Sequence, residues 1–232
     1  MSGSSFVRRP TWFGGVGSIG VATAGVAGLT SSTEVAGAVV GAGVGFLVLY
    51  LGLAFRYRSP VGWLVALVGL AGGGGAAGYA AANAGSGLSP AVVVFGALGV
   101  LFVSLGTAPL SGEGSRRLSK MGCWMVFVAA LLGAETLQSD PQGAVRVLGA
   151  MVAAVLAWDL SENSVGLGQQ IGRQARTRRA EATHAFGSSL VALASASAGY
   201  AGYSYAAGLD IPFDAVVLML GSVVLLVVFL YR

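Results

Sequence analysis

Long uncharged stretches follow one another along this chain, and that succession limits the fold more than anything else in it. From Ala215 to Leu230, for example, there is no charge and Ser222 is the one polar side chain. A bilayer core about 30 Å thick needs roughly 20 apolar residues per helix. In lipid each backbone polar group must find its partner internally, which favours helices. Eight segments meet the requirement: about 12–30, 34–55, 61–82, 90–110, 122–138, 143–160, 183–207 and 212–231. Connections must then be short, and only Ser111–Met121 and Asp159–Thr183 exceed a tight turn. The expected fold is an all-α, polytopic transmembrane bundle of eight spans over residues 1–232, with a basic amphipathic loop at 159–183. The first segment is the weakest, being mostly Gly, Ala and Val with Ser18 and Thr23 inside, and it depends on neighbours for insertion.

Composition closes other routes. Charged residues make up 9% of the chain and hydrophobic ones 55%, where soluble domains carry about 25% charge. Disorder demands the reverse balance. Collagen needs glycine at every third position, which glycine-free Ala215–Leu220 breaks despite 38 glycines in all. A nucleic-acid partner is not expected, since the cations are scattered between apolar runs rather than gathered on one face.

Those cations orient the chain. With eight spans, Arg8, Arg9, Arg56, Arg58, Arg116, Arg117, Lys120, Arg173, Arg176, Arg178, Arg179 and Arg232 fall on one side, twelve of thirteen. Arg146 falls on the other, with Glu34, Glu135, Asp140, Asp210 and Asp214. By the positive-inside rule both termini are cytoplasmic, in a multi-pass protein of the cell membrane. Arg8–Arg9 reads as the positive flank of the first span rather than as an export signal. The single cysteine, Cys123, reads as a small packing residue.

Internal likeness suggests repeated hairpins. Trp12, Trp63, Trp124 and Phe186 open the odd spans at spacings of 51, 61 and 62, and Ala-Val pairs open the even ones. Gly45–Gly52 aligns with Gly99–Gly106, and Ala77–Ala80 with Ala198–Ala201. Four two-helix hairpins follow, each an odd span with the next even one. Small-residue faces such as Gly37, Gly41 and Gly45 suit close helix approach. The glycine-rich odd helices are expected inside and the Val/Leu-rich even helices against lipid. Gly72–Gly75 reads as packing surface, with a helix break lining a cavity as the alternative.

Few groups are left for chemistry. Glu135 and Arg146 flank the tight turn between the fifth and sixth spans and can meet at equal depth, as a structural ion pair or as a gate. His184 has no companion ligands for zinc, nor a positioned nucleophile, so a hydrogen bond to Asp159 or Glu162 is its expected role. Tyr200, Tyr203 and Tyr205 suit an interface belt. Within 159–183, Leu160, Leu167, Ile171 and Ala175 recur at helical spacing, describing a short helix in the interface. Asp159, Glu162, Arg173, Arg176, Arg178 and Arg179 are its candidate docking residues, for anionic lipid or a cytoplasmic protein. No cofactor, metal or enzymatic activity is expected. The two functional readings are a non-enzymatic scaffold or assembly subunit, and a small-solute transporter or channel.

The stretch Trp158-Asp159-Leu160-Ser161-Glu162-Asn163, then Gly168–Arg173 and Thr177–His184, resembles a family of uncharacterised haloarchaeal multi-pass membrane proteins. That family has a glycine- and alanine-rich bundle around such a polar loop. Its association with MoxR-type AAA ATPases and von Willebrand A-like proteins implies a part in membrane-associated assembly or maturation. The resemblance brings no catalytic residue with it.

Overall fold

The computed structural model describes residues 10–108, 113–137, 142–170 and 178–207, together with Ala215 and Ser222. These form seven helices: α1 Trp12–Gly28, α2 Thr33–Phe55, α3 Val61–Ala82, α4 Ser89–Thr107, α5 Glu113–Thr136, α6 Gly143–Gln170 and α7 Arg178–Ala207. Five of them, α2 to α6, are long and apolar enough to cross a membrane. The first expected span is a shorter apolar helix of 17 residues, about 26 Å at 1.5 Å per residue. The eighth, 212–231, lies outside the described residues apart from Ala215 and Ser222. Seven helices are thus described where eight spans are expected.

Local signals set the ends. Ser32 caps α2 by accepting from Val35 N–H, and Pro90 stands in the first turn of α4, where no helical bond is lost. Gly85 and Gly87, at φ of +91° and +72°, make the α3–α4 turn in the left-handed region that glycine tolerates best.

The tightest packing joins α2 with α3, α4 with α5, and α1 with α6. This differs from the expected hairpins, which pair each odd helix with the next even one. Backbone approach explains the choice. A methyl group added at Gly45 would overlap the Gly73 backbone, and one at Gly52 would overlap Ala66. In α4–α5, Gly99 meets Val126 and Gly122, while Gly106 meets Ser119 and Ser115. The partner positions are Gly62, Ala66, Gly69 and Gly73 in α3, and Ser115, Ser119, Gly122 and Val126 in α5, each set spaced four, three and four. The two hairpins are one packing unit used twice. The likeness of Gly45–Gly52 to Gly99–Gly106 is its signature.

α1 closes the bundle by lying antiparallel on α6. Gly14 meets Ser164 at one end and Gly25 meets Ala153 further along. Ser18 and Thr23 donate to the carbonyls of Gly15 and Ile19, satisfying their hydroxyls within the helix. The weakest apolar helix is thus a central one.

The expected inside–outside sorting of odd and even helices does not hold. α3 is the most peripheral of the five long apolar helices, with 22% of its best window buried against 56% in α4. Gly72 to Gly75 form continuous helix rather than a break. Gly73 packs on Phe46, while additions at Gly72, Gly74 and Gly75 would meet nothing within 4 Å. Small side chains permit burial without requiring it. The large α3 side chains Leu64, Leu67 and Val68 stand exposed on the face turned away from α2.

Two helices run past the expected span ends. α5 begins at Glu113 rather than near 122, so Trp124 lies mid-helix, edge-on to Phe127 at 5.8 Å between centroids, instead of opening the span. α6 continues to Gln170, so 159–170 belongs to it rather than to a separate interfacial helix, and Ile171 and Ala175 lie outside the described residues. The cause is burial against neighbouring helices. Ser115 and Ser119 pack on α4, and Leu160, Ser161, Ser164, Val165 and Gly168 are buried.

Candidate functional site

The extended ends of α5 and α6 meet the starts of α1 and α7, and there the polar groups assemble. Glu181, only 3% exposed, accepts from Thr11 Oγ1 at 2.7 Å and from Gly14 N–H at 3.1 Å. Gly14 is in the first turn of α1, whose early N–H groups have no helical acceptor. A carboxylate from α7 therefore caps α1 in trans, with charge-assisted bonds at the positive end of its dipole. Thr11 is tied to α6 as well. Its N–H donates to Ser164 O at 3.1 Å, and Ser164 Oγ donates back to Thr11 O at 2.8 Å.

α6 reaches both neighbours through its two carboxylates. Glu162 takes Arg116 Nε at 3.0 Å and Lys120 Nζ at 3.3 Å from α5. Asp159 takes His184 Nε2 at 2.8 Å and Ser188 Oγ at 2.6 Å from α7. Both contacts use the same oxygen, Oδ2, so the Ser188 proton points at the carboxylate and not at the imidazole. A nucleophile–base relay needs the serine on the histidine; here the pair instead clamps α7 to α6. Arg178 lies over the Trp12 ring at 5.4 Å, adding a contact between α7 and α1.

Of the six docking candidates, the structure thus places Asp159 and Glu162 in bridges between helices. Arg178 and Arg179 stand exposed in the first turn of α7, while Arg173 and Arg176 lie outside the described residues. His184 makes the expected bond to Asp159. Glu181, Thr11 and Ser164 escape a reading of spacing, because the partners are 170 and 153 positions apart. A glutamate one turn after an arginine pair offers no sign of the distant helix it caps.

At the opposite end, Glu135 stands in the last turn of α5 and Arg146 in the first turn of α6. Arg146 Nη1 donates to Thr30 O at 2.9 Å, just beyond the end of α1. Beside it is a cavity of about 40 Å³ bordered by Thr30, Ser31, Ser32, Ser89 and Thr136 among apolar neighbours, room for a few waters. Nearby, the Tyr79 hydroxyl donates to Glu34.

No curated protein and no solved structure matches the chain. A family model described as a family of unknown function, DUF7519, matches residues 66–227. That region holds α4 to α7 whole, with Glu162, Asp159, Glu181 and both basic partners of Glu162, and covers well over half of the chain. The chain belongs to this family of unknown function.

Proposed function

We propose that the protein is a non-enzymatic membrane scaffold or assembly subunit that docks a cytoplasmic partner at its basic end. The observation that carries this reading is the clamping of α1, α5, α6 and α7 into one platform beneath exposed Arg178 and Arg179. Two cations in the first turn of a helix oppose its dipole, at about 0.3–1 kcal/mol each. A cost of that kind makes sense where an acidic surface arrives to neutralise it. The resemblance of 158–184 to haloarchaeal membrane proteins linked with assembly systems points the same way. The topology that accompanies the reading has eight spans in the cell membrane and both termini in the cytoplasm, supported by the one-sided cations. Reporter fusions at the two termini test it, and opposite locations would sink it. For docking, full-length protein with Arg178→Ala and Arg179→Ala is compared with the native chain in crosslinking pull-downs. Loss of specific partners is expected; an unchanged partner set defeats the proposal.

A small-solute transporter or channel is the second reading. It draws on Glu135 and Arg146 beside the hydroxyl-lined cavity, a charged pair at a membrane-helix end being a functional candidate. Glu135→Gln that preserves folding but abolishes uptake into vesicles would favour it over the scaffold.

A further inference from the structure

We propose that the crevice between α5 and α6 at the basic end binds one anionic phospholipid. The headgroup phosphate sits at Lys120 and the Trp158 indole N–H, and an acyl chain runs along Phe127 and Val155. The inference does not depend on the scaffold reading.

Unmet polar groups carry it. Four buried side-chain atoms lack hydrogen-bond geometry among the described residues: Ser119 Oγ and Trp158 Nε1, and also Arg116 Nε and Glu162 Oε1, whose ion-pair partners are Glu162 and Lys120. Arg116, Trp158 and Glu162 lie where α5 and α6 meet at this end, while Ser119 faces α4. Arg116 and Glu162 still have each other at ion-pair distance, but the Trp158 donor has no acceptor among the described residues. Buried donors of that kind are rare and call for a ligand or another partner.

Charge complements the vacancy in hydrogen bonding. Arg116 and Lys120 share one carboxylate, Glu162, so this trio carries one positive charge in excess. Lys120 Nζ lies 6.0 Å from the Trp158 ring centroid, at the mouth of the crevice. It is further bordered by Cys123, Trp124, Phe127 and Val155, which with Trp158 line a half-open crevice of about 30 Å³. Trp124 and Val155 on its rim are exposed, on helices apolar enough to face lipid. A surplus cation and an orphan donor above an apolar slot are the complement of a molecule with phosphate at one end and hydrocarbon at the other. A zwitterionic lipid brings its own ammonium group to the same place, where Lys120 repels it.

The test uses tryptophan quenching in full-length protein with Trp12→Phe and Trp63→Phe, which leaves Trp124 and Trp158 as reporters. The protein is reconstituted in phosphatidylcholine vesicles with a minor fraction of brominated phosphatidylglycerol or, in parallel, brominated phosphatidylcholine. One added lysine contact favours the anionic lipid about fivefold, and that ratio is expected from the quenching curves. Lys120→Gln should bring it close to unity. Trp158→Phe keeps the charge and should lower the ratio partway, read from Trp124, and it carries the test if Lys120→Gln does not fold. Equal quenching by the two lipids overturns the proposal, as does a ratio that neither variant changes. Glycerol phosphate added to the buffer should leave the ratio unchanged; competition would assign the site to a soluble phosphate and refute the lipid.

Discussion

The hairpins α2–α3 and α4–α5 share one seam but occupy different places. In both, two glycines seven residues apart press on the backbone of the following helix, at positions spaced four, three and four. Yet α3 is left at the edge of the bundle, while α5 is half buried between α4 and α6. The difference lies on the helix faces away from the seam. α3 turns Leu64, Leu67 and Val68 outward, which lipid satisfies. α5 carries Ala129, Ala130 and Ala134, small enough for neighbours to bury, and extends into Arg116 and Lys120, which Glu162 of α6 holds. A seam decides which two helices pair; the opposite faces decide where the pair goes.

The strongest way to break this comparison is to fill the seams. Gly52→Ala and Gly106→Ala each put a methyl group into the backbone of the facing helix, and each should cost about 3 kcal/mol, the upper range for overpacking. Thermal unfolding in detergent reads the loss. Equal losses would mean the seam acts locally, whereas a larger one at Gly106 would show that the central hairpin transmits its strain to α1 and α6. Next comes Glu181→Ala, which leaves Thr11 Oγ1 and Gly14 N–H without an acceptor and should cost about 2 kcal/mol. Proteolysis near α1 should then outpace proteolysis in the α2–α3 hairpin, which Glu181 does not touch. Glu162→Gln is weaker. Its ion pairs are part exposed, so about 1 kcal/mol or less is expected, and that loss should shrink in high salt. Smallest, and opposite in sign, are Gly72→Ala and Gly75→Ala. Both positions face open space, and the better helix former should stabilise by a few tenths of a kcal/mol. Marked destabilisation there would reveal a partner on α3 and erase its peripheral standing.

The sequence made the seams half legible. The match of Gly45–Gly52 with Gly99–Gly106 is visible in it, yet spacing alone fits equally a repeat that pairs each odd helix with the next even one. Glycine spacing reports that a face can approach another, not which neighbour takes it. The packing surface expected at Gly72–Gly75 is found in part: the helix is continuous and Gly73 packs on Phe46, while Gly72, Gly74 and Gly75 meet nothing within 4 Å among the described residues. At the candidate site, the bond of His184 to Asp159 follows from nearness along the chain and could be anticipated. The capping of α1 by Glu181 could not, because nothing local distinguishes a buried carboxylate in a helix's first turn from a solvated one.

Hydrophobicity and charge, properties that add along the chain, therefore determined the membrane-spanning helical class and the gathering of cations at one end. They required no knowledge of neighbours, since the cost of burying a charge or an unpaired backbone group in lipid is paid segment by segment. Which helices touch, how far α5 and α6 extend, and which carboxylates clamp the basic end were decided only by tertiary structure. Those outcomes depend on shape matching and on single hydrogen bonds between residues as much as 170 positions apart, and a linear pattern holds no record of either.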